Sequence, residues 1–190
     1  MSSVSHNPAE WAHGSGAARE ATAETTHVAS EAVARYAFAG VRLLIAFEFL
    51  WAFGDKLFGW GLSTPSDAAW IRGGSPTEGY LGSVQGTFAG FFNPMAGNPV
   101  VDWLFMLGLL CIGLALALGI GMRIAAGAGA LLLLLMWMAS LPLAVNPFVD
   151  DHLINAVVLI GLAAFLAGDT AGLGRWWSQR RMVRRFPALR

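Results

Sequence analysis

Charged residues are scarce in this sequence, and cysteine is nearly absent. Only 13% of the 190 residues are Asp, Glu, Lys or Arg, whereas a soluble globular protein carries about 25%. Hydrophobic residues reach 56%, and they form long blocks after about residue 33. The lone cysteine, Cys111, lies inside one of these blocks, so the chain by itself cannot perform dithiol redox chemistry. The composition therefore indicates a small polytopic membrane protein with one membrane domain.

Motifs for tightly bound redox cofactors are missing as well. The sequence has no C-x-x-C-H, no cysteine cluster and no G-x-G-x-x-G after a predicted strand, so we expect no haem, flavin or iron–sulfur site in this chain. Only His152 of the four histidines lies in or near an apolar block, which argues against a transmembrane haem with two histidine ligands.

The two ends of the chain differ from its middle. Residues 1–32 lack the basic start and apolar core of a signal peptide, and we expect a disordered cytoplasmic tail that is helical only near residues 28–35. Residues 33–174 form the predicted membrane domain. Residues 175–190 form a basic cytoplasmic tail with six arginines and interleaved aromatics, a composition that suits lipid headgroups and predicts no nucleic-acid partner.

The apolar blocks predict an all-α integral membrane protein, a four-transmembrane-helix bundle. Residues 103–143 are apolar over 41 positions except at "GIGMR", residues 119–123. One helix of that length would be about 61 Å long, twice the hydrocarbon thickness, so the chain must turn back at the two glycines. The predicted spans are about residues 36–58, 100–120, 123–143 and 151–167.

Basic residues predict the orientation of the bundle. Arginines concentrate in both terminal segments and at Arg123, whereas the long first loop, residues 59–99, is accompanied only by Lys56 and Arg72. We expect the protein to lie in the plasma membrane. By the positive-inside rule, both of its termini should then lie in the cytoplasm. Within the outer loop, "TPSDAAWI" and "SPTE" have the proline and capping spacing of helix starts, and we expect short amphipathic helices lying on the outer membrane surface.

Ionisable residues interrupt the first span, "RLLIAFEFLWAFGDKLFGW", residues 42–60. A charge near the bilayer centre costs about 2.5–3.5 kcal/mol, so we interpret the mid-span Glu48 as a functional group that faces the bundle interior, and Arg42 as a structural residue. Other polar residues lie at the outer ends of the spans. We expect five of them to converge under the outer loop: Asp55, Lys56, Asp102, Asp151 and His152. The alternatives are that they line the interface separately, or that Asp150, Asp151 and His152 hold a metal, which is weaker because neighbouring residues on a helix point apart.

Three stretches resemble the DoxX/DoxD family over residues 33–177. They are "RLLIAFEFLWAFGDKLF", "LGLLCIGLALALGIGMRIAAGAGALLLLLMWMA" and "NPFVDDHLINAVVLIGLAAFLAGD". The long first loop, "AAWIRGGSPTEGYLGSVQGTFAGFF", is more similar to the DoxD type. The resemblance implies a four-helix bundle and an association with quinone-linked oxidoreductases, of which the DoxD type is the large subunit of thiosulfate:quinone oxidoreductase. The expected function is transfer of electrons from a sulfur compound of the thiosulfate type, or from a partner protein, to membrane quinone.

A quinone site needs a hydrogen-bond donor, a proton-handling group and an apolar slot. We predict Glu48 and His152 as the catalytic residues. The predicted quinone-binding residues are Lys56, Asp55, Asp102, Asp151, Arg123, Trp60 and Trp103. Quinone is the expected electron acceptor, and a partner subunit or a homo-oligomer is expected in the membrane. The alternatives are a non-catalytic anchor or assembly factor for a redox complex and, ranked below it, a small proton-coupled transporter.

Overall fold

The computed structural model describes the backbone from Pro8 to Arg190 and the side chains from Val28 onward. None of these residues forms a strand, so the all-α prediction is confirmed. The α-helices are α1 (Pro8–Phe58), α2 (Glu78–Gly82), α3 (Ala89–Phe92), α4 (Pro99–Leu118), α5 (Met122–Ala139), α6 (Asp151–Ala164), α7 (Gly174–Ser178) and α8 (Arg181–Arg185). The disordered tail expected for residues 1–32 falls largely outside the described side chains and stays a prediction.

Among the described residues, three helices are long and apolar enough to cross a membrane. They are the Val28–Phe58 part of α1, α4 and α5. The fourth candidate, α6, begins at Asp151 as predicted, but its 14 residues make a helix of about 21 Å, against a hydrocarbon core of about 30 Å. The chain divides into two compact units, Met1–Ala37 and Phe38–Arg190, and the second contains α2 to α8.

The turn predicted at "GIGMR" separates α4 from α5. Gly119 and Gly121 both have left-handed backbone angles, with φ of 71° and 61°, which glycine adopts at little cost. The Gly119 N–H is bonded to the last carbonyls of α4, and α5 begins directly afterwards at Met122. The other end of α5 comes at Ala139, earlier than predicted, because the chain reaches Pro142, which cannot continue a helix.

Glycines allow the long helices to approach closely. A Cβ on Gly113 of α4 would lie 3.2 Å from the backbone nitrogen of Leu50 in α1. A Cβ on Gly129 of α5 would lie 2.7 Å from Leu159 of α6. Around these crossings apolar side chains such as Leu159 and Ile112 are buried. Close helix contact through small residues is the usual way in which membrane helices pack, because lipid offers no hydrophobic drive between them.

The first loop, residues 59–99, contains α2, α3 and several 3₁₀ turns. The Ser75 hydroxyl accepts a hydrogen bond from the Glu78 N–H at 3.1 Å, which agrees with the capping pattern in "SPTE". The other expected cap is absent from this loop, since the turn Ser66–Ala68 has no side-chain cap. Val84 and Phe92 are buried together with Ala139, so the loop packs on the end of α5.

Candidate functional site

A group of polar side chains lies where α5 ends and α6 begins. The Tyr80 hydroxyl, from α2 in the outer loop, lies 3.0 Å from the Ser140 hydroxyl and 3.1 Å from the Met136 carbonyl oxygen. At the start of α6, the Asp150 carboxylate accepts a hydrogen bond from the Leu153 N–H at 3.0 Å and caps that helix. Segments far apart in sequence therefore contribute hydroxyl and carboxylate groups to one end of the molecule.

His152 is held by Asp150. Its Nδ1 lies 2.7 Å from Asp150 Oδ2 and 3.6 Å from Asp151 Oδ1. An ionised carboxylate on Nδ1 fixes the tautomer that carries its proton there, so Nε2 is the nitrogen that exchanges a proton with a ligand. The histidine is about one-fifth exposed, with side-chain accessibility of 22%, which leaves it reachable from outside the protein. This pair fits acid–base chemistry.

Two pKa shifts follow from this arrangement. Burial alone would raise the pKa of Asp150, but the hydrogen bonds from Leu153 and His152, with the charge of the histidine, outweigh burial and hold that pKa below its usual value. For Tyr80, burial raises the pKa most, and the negative charges of Asp150 and Asp151 raise it further. Tyr80 therefore stays a neutral proton donor while Asp150 stays an ionised acceptor.

The same carboxylates and His152 have the donor set of a metal site. The ligand atoms of Asp150, Asp151 and His152 all lie within 4.8 Å of one another. The expectation that these neighbours point apart is wrong, because Asp150 lies before the helix as its cap and folds back over the first turn. The Asp150–His152 hydrogen bond already uses two of the three groups, which fits a proton-handling pair.

Asp55 and Lys56, at the end of α1, have local partners. Asp55 is fully buried, and it accepts a hydrogen bond from Ser63 at 2.5 Å, so it ties the start of the outer loop to α1. Lys56 is half-buried, with its Nζ 5.9 Å from the centre of the Phe105 ring in α4. Within the described part of the chain, no ion pair joins Lys56 to Asp102, Asp151 or His152.

Asp102, at the start of α4, also binds the outer loop. One of its carboxylate oxygens accepts hydrogen bonds from Ser75 at 2.9 Å and from Thr77 at 2.5 Å. Asp102 is buried, so these bonds are shielded from water. Asp55 and Asp102 thus act as anchors of the loop, and the structure does not bring them to His152.

The two tryptophans predicted to bind quinone, Trp60 and Trp103, lie on the surface. Trp60 is exposed and packs against Trp51, with ring centres 4.9 Å apart. Trp103 is exposed and meets the edge of Trp70 at 4.6 Å. Neither tryptophan contacts His152 or Tyr80 among the described aromatic contacts. These rings suit the headgroup region of a membrane, where tryptophan is enriched.

Glu48 lies on the outside of α1, and the expectation that it faces the bundle interior is wrong. Its carboxylate accepts a hydrogen bond from Asn155 of α6 at 3.4 Å. The interior-facing positions of this helix are taken by apolar residues such as Ile45 and Phe49. Asn155 follows His152 by three residues on the same helix face, so Glu48 lies about one helical turn from the histidine.

Arg42 and Arg123 lie at the opposite end of the helices. Arg42 is completely buried and donates to the Ala171 carbonyl at 2.7 Å. Arg123 donates to the Pro187 carbonyl at 3.1 Å and its N–H bonds to the Arg190 carbonyl, so it holds the end of the chain. Since Arg123 and Ser140 are separated by the length of α5, about 26 Å, one site cannot contain Arg123 and His152.

Tyr80 and Ser140 were not anticipated from the sequence. Tyr80 is one of only two tyrosines, and a tyrosine in a loop next to an apolar span is usually an interface residue. The signal that could have found it is the capping pattern of "SPTE", which begins a helix that carries Tyr80 toward the bundle.

No family model matches this chain, and no curated protein or solved structure matches it. The resemblance to the DoxX/DoxD family stays a prediction from the residues quoted above.

Proposed function

We propose that this chain is a DoxX/DoxD-like membrane subunit of a quinone-linked oxidoreductase. The single observation that carries the proposal is the Asp150–His152 pair, at 2.7 Å, at the same end of the bundle as the Tyr80–Ser140 pair. A quinone has two carbonyl oxygens, and its reduction takes up two electrons and two protons. An imidazole held by a carboxylate and a neutral phenol are side chains that hydrogen-bond such oxygens and move protons.

Some of these residues transfer protons, and others shape the quinone-binding site. His152 donates from Nε2 to one quinone oxygen and is recharged from water, while Asp150 stabilises the imidazolium through Nδ1. Tyr80 donates to the second oxygen when its hydroxyl hydrogen turns from the Met136 carbonyl to the quinone, and Ser140 orients the phenol. The exposed apolar side chains of Val145, Phe148 and Val149, in the loop before α6, border the quinone tail.

Electrons come from outside the chain. With thiosulfate as donor, two thiosulfate ions join through a new S–S bond to give tetrathionate and release two electrons, which reduce one quinone together with two protons. A partner protein that delivers electrons fits the same site. About one-fifth of the His152 side chain is accessible at the start of α6, which supports access by a small anion or a docked partner.

We place the protein in the plasma membrane with four spans and both termini in the cytoplasm. α6 serves as the short fourth span, and the apolar loop before it extends the contact with lipid. The helices of the first loop lie on the outer surface. A partner subunit or a second copy completes the complex. The alternative, a non-catalytic anchor, is favoured by the exposed arginines of the folded C-terminal segment, which could hold a soluble enzyme at the membrane.

Turnover in liposomes tests the proposal. The purified chain, reconstituted with a short-chain quinone, should form quinol when thiosulfate is added. His152→Gln should reduce the rate roughly a hundredfold, the usual size of an acid–base contribution, and Asp150→Asn should reduce it as well. Asp67→Asn is the matched control, because Asp67 is an exposed carboxylate of the outer loop. Full activity of His152→Gln would refute the site, and a partner that co-purifies without any turnover would favour the anchor.

A further inference from the structure

The outer face of α1 carries a carboxylate halfway through a membrane span. Glu48 lies ten residues before Phe58, the last residue of α1, which corresponds to about 15 Å along the helix and half of the hydrocarbon thickness. Its side chain is exposed on the chain. A single copy in a bilayer would therefore present this carboxylate to lipid, where a charged group is strongly disfavoured.

Few groups within one chain offset the cost of placing the Glu48 carboxylate in lipid. Within the described residues, the polar partner of Glu48 is the Asn155 side chain, at 3.4 Å, near the limit of a hydrogen bond. No ion pair in the described part of the chain involves Glu48. A carboxylate can accept about four hydrogen bonds and an Asn side chain has two donor hydrogens, so both groups keep unused capacity.

The α1 side of the surface around this pair is otherwise apolar. It includes Val41, Leu44 and Trp51, all exposed, whereas on α6 His152 lies one turn from Asn155. A methyl group added to Gly40 on α1 would meet nothing within 4 Å, so the α1 backbone is open there to the close approach of another helix. The α1 side of this face thus has the composition of a membrane helix interface: apolar side chains, a small residue and the carboxylate that bonds to Asn155.

We propose that a second copy of this chain covers the Glu48–Asn155 face and forms a two-fold dimer. A two-fold axis near this pair places Glu48 of each copy beside Asn155 of the other, so that a carboxylate acceptor meets an amide donor twice. A face that carries both the acceptor and its donor is complementary to itself, which favours a second copy over an unrelated helix. This surface does not depend on quinone chemistry, and its failure would leave the proposed function intact.

Cysteine cross-linking in membranes tests the interface. In a Cys111→Ser background, Leu44→Cys should form a disulfide-linked dimer under mild oxidation, because Leu44 lies one turn from Glu48 on the exposed face. Leu131→Cys on α5 is the matched control, since Leu131 is a similarly exposed leucine on another helix. Equal cross-linking at both positions, or cross-linking of Leu44→Cys only to a different protein, would overturn the proposal.

Substitution of the polar pair tests what holds the dimer together. Two interhelical hydrogen bonds account for roughly a tenfold change in the dimerisation constant, measured by energy transfer between labelled copies as lipid dilution increases. Glu48→Gln keeps the hydrogen bonds and should keep the dimer, whereas Glu48→Leu should weaken it about tenfold although it suits lipid better. Asn155→Leu should weaken the dimer by a similar factor, and it replaces Glu48→Leu in the test if that variant does not fold. Unchanged association of a well-folded leucine variant would contradict the interface.

Discussion

Arg42 illustrates how a buried charge can be structural. Its guanidinium donates to the Ala171 carbonyl at 2.7 Å and lies beside the last turn of α4, where the partial negative charge of a helix end favours a cation. Within the described residues, Nε and Nη1 have no hydrogen-bond partner. Gly119 and Gly172 pack directly against this group, since a Cβ on either would collide with Nη1. The absence of side chains at these positions makes room for the arginine.

The first prediction concerns Gly119. Gly119→Ala should destabilise the protein by roughly 2 kcal/mol or more, because the methyl group strains a left-handed residue and collides with Arg42 and with the backbone of Gly168. Gly121→Ala is the matched control: its φ of +61° imposes similar strain, but its surroundings are open. Thermal stability of the purified protein in detergent measures the difference. Equal losses in the two variants would mean that neither Arg42 nor the Gly168 backbone is packed against Gly119.

The second prediction concerns Tyr80. Because burial and the charges of Asp150 and Asp151 raise its pKa, Tyr80 should ionise at a higher pH than an ordinary tyrosine. Tyr36→Phe removes the only other tyrosine, so the ultraviolet titration then reports Tyr80 alone. Adding Asp150→Asn and Asp151→Asn should lower the ionisation pH, since two negative charges are lost. If the ionisation pH of Tyr80 stays the same after these changes, the charges of Asp150 and Asp151 do not act on Tyr80.

At the scale of elements, two buried carboxylates bind the outer loop to the helices. Asp55 holds Ser63 at the end of α1, and Asp102 holds Ser75 and Thr77 at the start of α4. The sequence predicted correctly that both carboxylates lie at helix ends, but not which residues they bind. Position along a helix gives the depth of a side chain, whereas its partner depends on how a loop of about forty residues folds back.

The third prediction tests the Asp102 anchor. Asp102→Ala should speed cleavage by trypsin after Arg72, an exposed residue in the loop, by about tenfold or more, because hydrogen bonds to a charged group are worth roughly 1.5–3 kcal/mol. Asp67→Ala is the control, as Asp67 lies in the same loop and is exposed. Similar cleavage rates for the two variants would show that Asp102 does not restrain the loop.

The helices themselves were largely predictable from the pattern of apolar residues. The end of α1 at Phe58, the turn at Gly119–Gly121 and the start of α6 at Asp151 all agree with the sequence-based boundaries. The orientation of Glu48 was not predictable, because every position of that segment is apolar or ambiguous and the pattern does not distinguish a lipid-facing from a bundle-facing side. Exposure there depends on how α1 meets α6.

For the whole molecule, the distribution of arginines gives the fourth prediction. In a Cys111→Ser background, Asp67→Cys should react with an impermeant maleimide added outside intact cells, because Asp67 is exposed in the first loop, which the arginine distribution predicts to lie outside. Ser178→Cys, in the arginine-rich C-terminal segment, should react only after the membrane is opened. Labelling of Ser178→Cys from outside would contradict a four-span topology with cytoplasmic termini.

The folded C-terminal segment adds a constraint that composition did not reveal. Arg190 pairs with Asp169 at 2.8 Å, and the Trp177 ring N–H donates to the Leu189 carbonyl at 2.6 Å. The basic tail is thus tied to the end of the bundle, and its remaining arginines are exposed. Net charge alone predicts attraction to a membrane but not this fixed arrangement.

The central claim is that quinone binds beside the Asp150–His152 pair. A photoreactive quinone, cross-linked to the reconstituted protein and mapped by mass spectrometry, measures this directly. Quinone bound at this site should label the segment from Ser140 to Asn155 or the α2 segment around Tyr80. Excess unreactive quinone should suppress this labelling, and His152→Gln should reduce it. Labelling confined to the lipid-facing side of α4, or labelling that excess quinone does not suppress, would contradict it.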